Sequence, residues 1–302
     1  MKTVVIHNPT AGRDQGATVA KTVQRILGKR GFEVELRGTS DPHDATHIAK
    51  EVAGEADIIV AVGGDGTINE IVNGMSARRV RDALTGRTTR PLLGIVPAGT
   101  VNVLALELGI PSQVAKACRI IAEGTTMTLD LGKVNGRWFV LMMGAGIDAL
   151  TIHNIDPKAK KRFRELAFVS TGVKAGLAGP PTEFLVRIGD EEHRATFFVA
   201  GNSRYYAGRL GVTPKADPTD GRLDLMLFRG TKRSSLAAFW LAVPTALHLQ
   251  NDKVLYLCGE RAELLPLDPE QVVWFQTDGE LAGWLPATVE IDPHALDVLV
   301  PA

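Results

Sequence analysis

Apolar and polar positions follow two different rhythms along this chain. In the first 127 residues, short apolar runs alternate with stretches of helical spacing. Thr3 to His7 is an apolar strand that ends at Asn8-Pro9. Val19, Val23, Ile26 and Leu27 then share one helical face, which predicts a helix over 16–30 closed by Gly31. Phe32, Val34 and Leu36 alternate with charged residues and predict a strand. Asp41-Pro42 predicts an N-cap and first helical residue, with the helix running to Val52. Ile58 to Val62 and Leu92 to Val96 are continuous apolar runs, as expected for strands buried on both faces of a parallel sheet. A helix is predicted over 68–73 between them, and the charged stretch Arg78 to Arg90 reads as loop. Strands alternating with helices imply an α/β domain whose ligands bind beyond the carboxyl ends of the strands.

Beyond about Thr128 the rhythm becomes one of successive short strands, predicted over Thr128–Val134, Trp138–Met143, Glu183–Ile188, Ala195–Ala200 and Leu223–Phe228. Asn135-Gly136 is a hairpin signal between the first two. Helices are predicted over 157–177, rich in Lys and Arg at its start, and over 234–247. The expected architecture is an N-terminal Rossmann-like domain over 1–127 and an antiparallel domain over 128–288.

Composition narrows the function classes. The 302 residues carry 34 basic and 34 acidic side chains, so no basic excess points to nucleic acid. Cys118 and Cys258 form no paired motif, which argues against a zinc site or a disulfide framework. The longest apolar run, near Leu236 to Leu247, is broken by Pro244 and falls short of the roughly 20 residues that span a bilayer. No secretory pattern opens the chain. A cytoplasmic protein that at most touches a membrane surface is expected.

The strongest chemical signal is Gly63-Gly64-Asp65-Gly66-Thr67-Ile68-Asn69-Glu70, a glycine-rich loop that leaves a buried strand and opens a helix. Glycines let the backbone approach an anion, and the helix N-terminus adds partial positive charge. Asp65 would repel a bare phosphate, so it is expected either to face Mg²⁺ or to hold the loop by hydrogen bonds. Two weaker loops leave neighbouring strands: Asn8-Pro9-Thr10-Ala11-Gly12, and Pro97-Ala98-Gly99-Thr100-Val101-Asn102. Three such loops on one sheet edge would grip a triphosphate together. In the second region, Gly144-Ala145-Gly146-Ile147-Asp148-Ala149 is a glycine-rich turn with a carboxylate. Asp217 and Asp220 resemble a carboxylate loop for a hard cation, although a proline-glycine turn reads the same way. Asp278 and Glu280, in Thr277-Asp278-Gly279-Glu280, offer a base for an alcohol acceptor and an assisting carboxylate.

Taken together these strings resemble the diacylglycerol kinase catalytic-domain family, which includes bacterial lipid kinases and the sphingosine and ceramide kinases. The resemblance runs in order from Asn8-Pro9 to Asp278-Gly279-Glu280, with GGDGTxNE as its specific element. It implies a phosphofructokinase-like or NAD kinase-like α/β domain, a C-terminal β-sandwich, ATP in the cleft between them, and a last strand, within 289–302, that returns to the first domain. It also implies that Asn8 to Gly12, Thr39, Gly64 to Glu70 and Thr100 contact the nucleotide, and the glycine-rich loops themselves add Gly63 and Gly99 as candidates. By the same resemblance Asp278 is the general base, and Asp217, Asp220 and the carbonyl of Arg222 hold a structural Mg²⁺. The chain departs from the family pattern at Val103, where Asp is common, and at Ala207 and Arg209, which replace glycines.

The expected activity is transfer of the γ-phosphoryl group of ATP to a hydroxyl of a diacylglycerol-like lipid. A homodimer is expected on base rates alone. The basic segment Lys158 to Arg164 is a candidate for contact with an anionic membrane, against an ordinary solvated helix face. Two rival readings are a kinase for a soluble acceptor such as NAD and a lipid-binding homologue without turnover.

Overall fold

The computed structural model describes residues 1–84, 86, 90–146, 181–206 and 208–302. The predicted helix over 157–177, the basic segment Lys158 to Arg164, Ile147 to Ala149 and Ala207 lie outside these residues. The chain divides into two compact units, Met1–Leu129 with His294–Ala302, and Asp130–Pro293.

The first unit is built on β1 (Lys2–His7), β2 (Glu33–Gly38), β3 (Ile58–Gly63) and β4 (Leu92–Pro97). The last residues of β16 (Ala287–Val300) join this sheet. The strand order is β2-β1-β3-β4-β16, every pairing is parallel, and Val298 sits opposite Leu93. The continuous apolar runs are the central strands: all six residues of β3 are buried. On the edge, β2 alternates exposed and half-buried positions, matching its alternating sequence. The helices are α1 (Ala11–Asp14), α2 (Gly16–Gly28), α3 (Asp44–Val52), α4 (Asp65–Leu84), α5 (Val103–Glu107) and α6 (Val114–Glu123). The order reverses between β1, whose neighbour in sequence lies to one side, and β3, which continues to the other. Chains leaving at such a switch point part from one another and open a crevice at the carboxyl edge.

Two expectations are corrected here. The cap of α3 is His43 in a left-handed conformation rather than Asp41, and Asp44 turns back to accept the N–H groups of Ser40 and Asp41 at 2.8 and 2.9 Å. The helix after β3 spans 20 residues, so Arg78 to Leu84 is helix rather than loop. Charge misled the reading because Arg78 and Asp82 form a buried i,i+4 ion pair at 2.8 Å that faces inward.

The second unit packs two sheets on one core. One has the order β12 (Val254–Gly259), β11 (Leu223–Phe228), β10 (Phe197–Gly201), β7 (Met142–Gly146), β14 (Trp274–Thr277), β15 (Glu280–Trp284), and its pairings are antiparallel. The other contains the first residues of β16, then β13 (Arg261–Pro266), β8 (Phe184–Ile188) and β9 (Glu191–Ala195). The hairpin β5 (Thr125–Val134) and β6 (Arg137–Phe139) flanks this second sheet. Phe139, Phe184, Phe198, Leu225 and Val289 are fully buried between the sheets. The Asn135-Gly136 turn forms as predicted, with both residues at positive φ.

Three further boundaries differ from expectation. Trp138 to Met143 is two strands, β6 and β7, in different sheets, because the intervening N–H groups turn toward a carboxylate. Ala195 to Ala200 likewise divides at Thr196, whose N–H and hydroxyl bond to the carbonyls of Phe228 and Gly230. Helix α7 (Arg233–Ala242) is shorter than predicted and gives way to 3₁₀ turns over 243–245 and 247–250. Pro244 stops it, since proline has no N–H and clashes with the carbonyl one turn earlier.

Candidate active site

The three glycine-bearing loops meet in the first unit. The N–H groups of Ala98 and Gly99 donate to the carbonyl of Gly63 at 2.8 and 3.1 Å. A Cβ on Gly99 would lie 2.5 Å from the Cα of Gly64, so these two backbones touch at a distance only glycine permits. Gly12, at φ +58°, closes the other side: a Cβ there would stand 2.6 Å from the carbonyl oxygen of Ala98. The first loop is braced internally, with the N–H and hydroxyl of Thr10 both donating to Asn8 Oδ1. Thr39 continues the same edge and donates its N–H to the carbonyl of His7 at 3.0 Å.

Asp65 is tied by hydrogen bonds, the second of its two expected roles. Its carboxylate accepts the N–H groups of Val103 at 3.0 Å and Leu104 at 3.1 Å, capping α5 and locking the second loop to the third. Burial pushes the Asp65 carboxyl above its ordinary pKa, and those N–H groups oppose the rise. Asn102, which sequence reasoning did not single out as a site residue, sits at φ 55° and bonds both ways with Gly99 through its amide. Its signal was its place three residues beyond the glycine.

An open depression of about 370 Å³ lies beside these loops, within the usual size range of ligand sites. Asn8, Thr10, Thr39, Asp41, Thr67 and Glu70 are among its walls. Glu70 is engaged there, accepting the N–H of His43 at 3.2 Å. Asn69 is buried behind it and bonds Asn73. His7, at the end of β1, is held below its ordinary pKa by burial, so it lies neutral under the first loop.

In the second unit, Asp278 is the centre of a turn. At φ 50°, it accepts N–H groups from Val140, Leu141 and Met142, each between 2.9 and 3.0 Å, and returns its own N–H to the carbonyl of Met142. Glu280 pairs with Arg137 at 2.9 Å, a partner that no local pattern announced. Asn202 reinforces the same place, donating to the carbonyls of Asp130 and Val140. Asp217 accepts the N–H and hydroxyl of Thr219, and Asp220 accepts the N–H of Arg222. Among the described residues no cluster of three or more His, Cys, Asp or Glu side chains could hold a metal ion. Two carboxylates and a backbone carbonyl are still the oxygen donors that a hydrated Mg²⁺ accepts.

The diacylglycerol kinase catalytic domain matches residues 2–134, and the YegS C-terminal NAD kinase beta sandwich-like domain matches residues 142–300. A diacylglycerol kinase of Bacillus subtilis (strain 168) is 31% identical over 289 residues, covering 93% of this chain and 90% of that one. This chain belongs to the diacylglycerol kinase family. As a family member it is a lipid kinase, a phosphotransferase. Two crystal structures from Bacillus anthracis str. Sterne share the fold. One has a TM-score of 0.82 at 24% identity, covering 99% of this chain and 94% of that one. The other, a diacylglycerol kinase, has a TM-score of 0.75 at 23% identity, covering 99% and 96%.

Two of the kinase's departures from the family pattern are now placed. Val103 contributes its N–H to Asp65, a role any residue but proline could fill. Arg209 is exposed. No helix among the described residues is long and apolar enough to cross a membrane.

Proposed function

We propose that this lipid kinase transfers the γ-phosphoryl group of ATP to the hydroxyl of a diacylglycerol-like lipid. The observation that carries the reading is the contact of Gly64 with Gly99 beside the start of α4. It holds two glycine loops against the N-terminus of the 20-residue α4, whose partial positive charge suits phosphate oxygens. Gly63 to Thr67, Gly99, Thr100 and the loop Asn8 to Gly12 would bind the nucleotide phosphates. Thr39, Asn69 and Glu70 would shape the depression alongside.

Bound Mg²⁺ supplies charge neutralisation during phosphoryl transfer. The Asp65 carboxylate faces N–H donors, so its proposed part is to hold two phosphate loops in register. Asp217, Asp220 and the carbonyl of Arg222 are the proposed holders of a structural Mg²⁺. Asp278 is the proposed acceptor for the hydroxyl proton, with its direction fixed by three N–H groups, and Glu280 assists. A loose transition state asks mainly for positioning and charge stabilisation, which a rigidly held carboxylate supplies. On this reading the enzyme works in the cytoplasm at the inner membrane surface, in phospholipid biosynthesis.

A second reading draws on the NAD kinase-like description of the C-terminal model: a soluble acceptor such as NAD. Labelled ATP offered with diacylglycerol, phosphatidylglycerol, a sphingoid base and NAD in turn separates the two. Label in phosphatidic acid supports the lipid reading, and label only in NADP overturns it.

A further inference from the structure

We propose that the outer face of α7 and the 3₁₀ turns after it is a docking surface for an anionic lipid bilayer. Helix α7 is anchored from the other side, where Leu236, Phe239, Trp240 and Val243 are buried. Its outward face nevertheless carries Leu241 at 68% exposure, followed by Leu247 at 52%. Ala238 and Pro244 are exposed with them. Two large apolar side chains this open, close together in a segment anchored through its other residues, leave apolar surface turned to the surroundings.

Charge identifies the occupant. From Arg229 to Asn251 the chain carries Arg229, Lys232 and Arg233 and no Asp or Glu; Asp252 and Lys253 then cancel. All three basic residues are exposed. Apolar surface with a basic flank suits a helix lying in the plane of a membrane, with leucines entering the acyl boundary and cations meeting headgroup phosphates. A second copy of this chain fits less well. A twofold interface through this face would gather six basic side chains with no acidic partner from this segment. Each basic residue near an anionic surface raises partitioning about fivefold, so the flank matters as much as the leucines. The surface gives a lipid kinase without a described spanning helix a way to stay where its acceptor lies. It rests on the lipid kinase assignment and on no particular lipid.

The test uses the full chain and co-sedimentation with vesicles of phosphatidylcholine alone or with about a third phosphatidylglycerol. The unmodified protein is expected to bind the mixed vesicles. Leu241→Glu with Leu247→Glu is expected to lower that binding tenfold or more, and Lys232→Glu with Arg233→Glu to lower it on the mixed vesicles only. Turnover of a short-chain diacylglycerol dispersed as monomers should stay within about twofold, since these exposed side chains leave the core untouched. Three results would overturn the surface. The unmodified protein does not bind, the leucine variant binds as tightly as the unmodified one, or the leucine variant converts a sedimenting dimer to monomer while vesicle binding persists. Loss of the acceptor reading is a separate result: no lipid phosphorylated while vesicle binding and its sensitivity to these substitutions remain.

Discussion

Replacing Asp278 with Asn separates two jobs that the same carboxylate would do. Asn adopts positive φ as readily as Asp, so the turn at φ 50° is not strained by the change. The three N–H donors are the difficulty. With the amide oxygen at the Oδ1 position, Leu141 and Met142 keep their bonds, but the N–H of Val140 then faces an NH₂. Flipping the amide loses two bonds in place of one. Leaving a buried donor unpaired costs about 1–3 kcal/mol. The two remaining bonds lose their charge assistance, which is roughly half their strength. A total of roughly 2.5–6 kcal/mol follows, and for a unit of this size about 2–4 °C of melting temperature accompanies each kcal/mol. The melting temperature should therefore fall by roughly 5–24 °C. Losing a general base separately costs about 10²–10⁴ in turnover. The assay is thermal melting by circular dichroism, with kcat measured well below the variant's own transition. A large loss of kcat with an unmoved melting temperature refutes the clamp. A lowered melting temperature with near-normal kcat in the folded variant removes Asp278 from the chemistry.

Gly99→Ala should destabilise by about 1–3 kcal/mol and weaken ATP binding at least tenfold, read by melting and by KM for ATP, because its Cβ meets backbone at 2.5 Å. Gly28→Ala, with nothing within 4 Å, is the control and should be neutral or slightly stabilising. Asp65→Ala should cost about 1–2 kcal/mol as a lost cap and abolish turnover; unchanged ATP affinity and rate in that variant would sever the loops from the nucleotide. His7 and His248 are both held below their ordinary pKa by burial, so the unfolded chain binds their protons first. Their stabilising effect is full above about pH 6.5 and is lost as pH falls below it. Asp65 and Asp224, raised by burial, act in the opposite direction from about pH 3.8 upward. His248→Gln should flatten the slope of stability between pH 5.5 and 7; an unchanged slope would discard the assignment.

The resemblance and the parallel sheet were legible because both are local. A strand buried on two faces must be continuously apolar, and a loop that admits an anion must be rich in glycine, so β3 and the residues after it announce themselves. The breaks were less legible. Nothing within Trp138 to Met143 says that its N–H groups leave one sheet before entering another. The buried Arg78–Asp82 pair hid a helix behind charges that usually mark a surface.

What the carboxylates do was decided only by the tertiary structure. The sequence singled out Asp65 and Asp278, and each accepts backbone N–H groups from a distant segment. Their hydrogen-bond donors lie 38 and 39 residues away for Asp65, and 136 to 138 away for Asp278. An ionised carboxylate can meet a cation, a hydroxyl or an N–H with equal chemical logic. Which of these it meets depends on the backbone brought beside it by folding, and chain spacing carries no record of that.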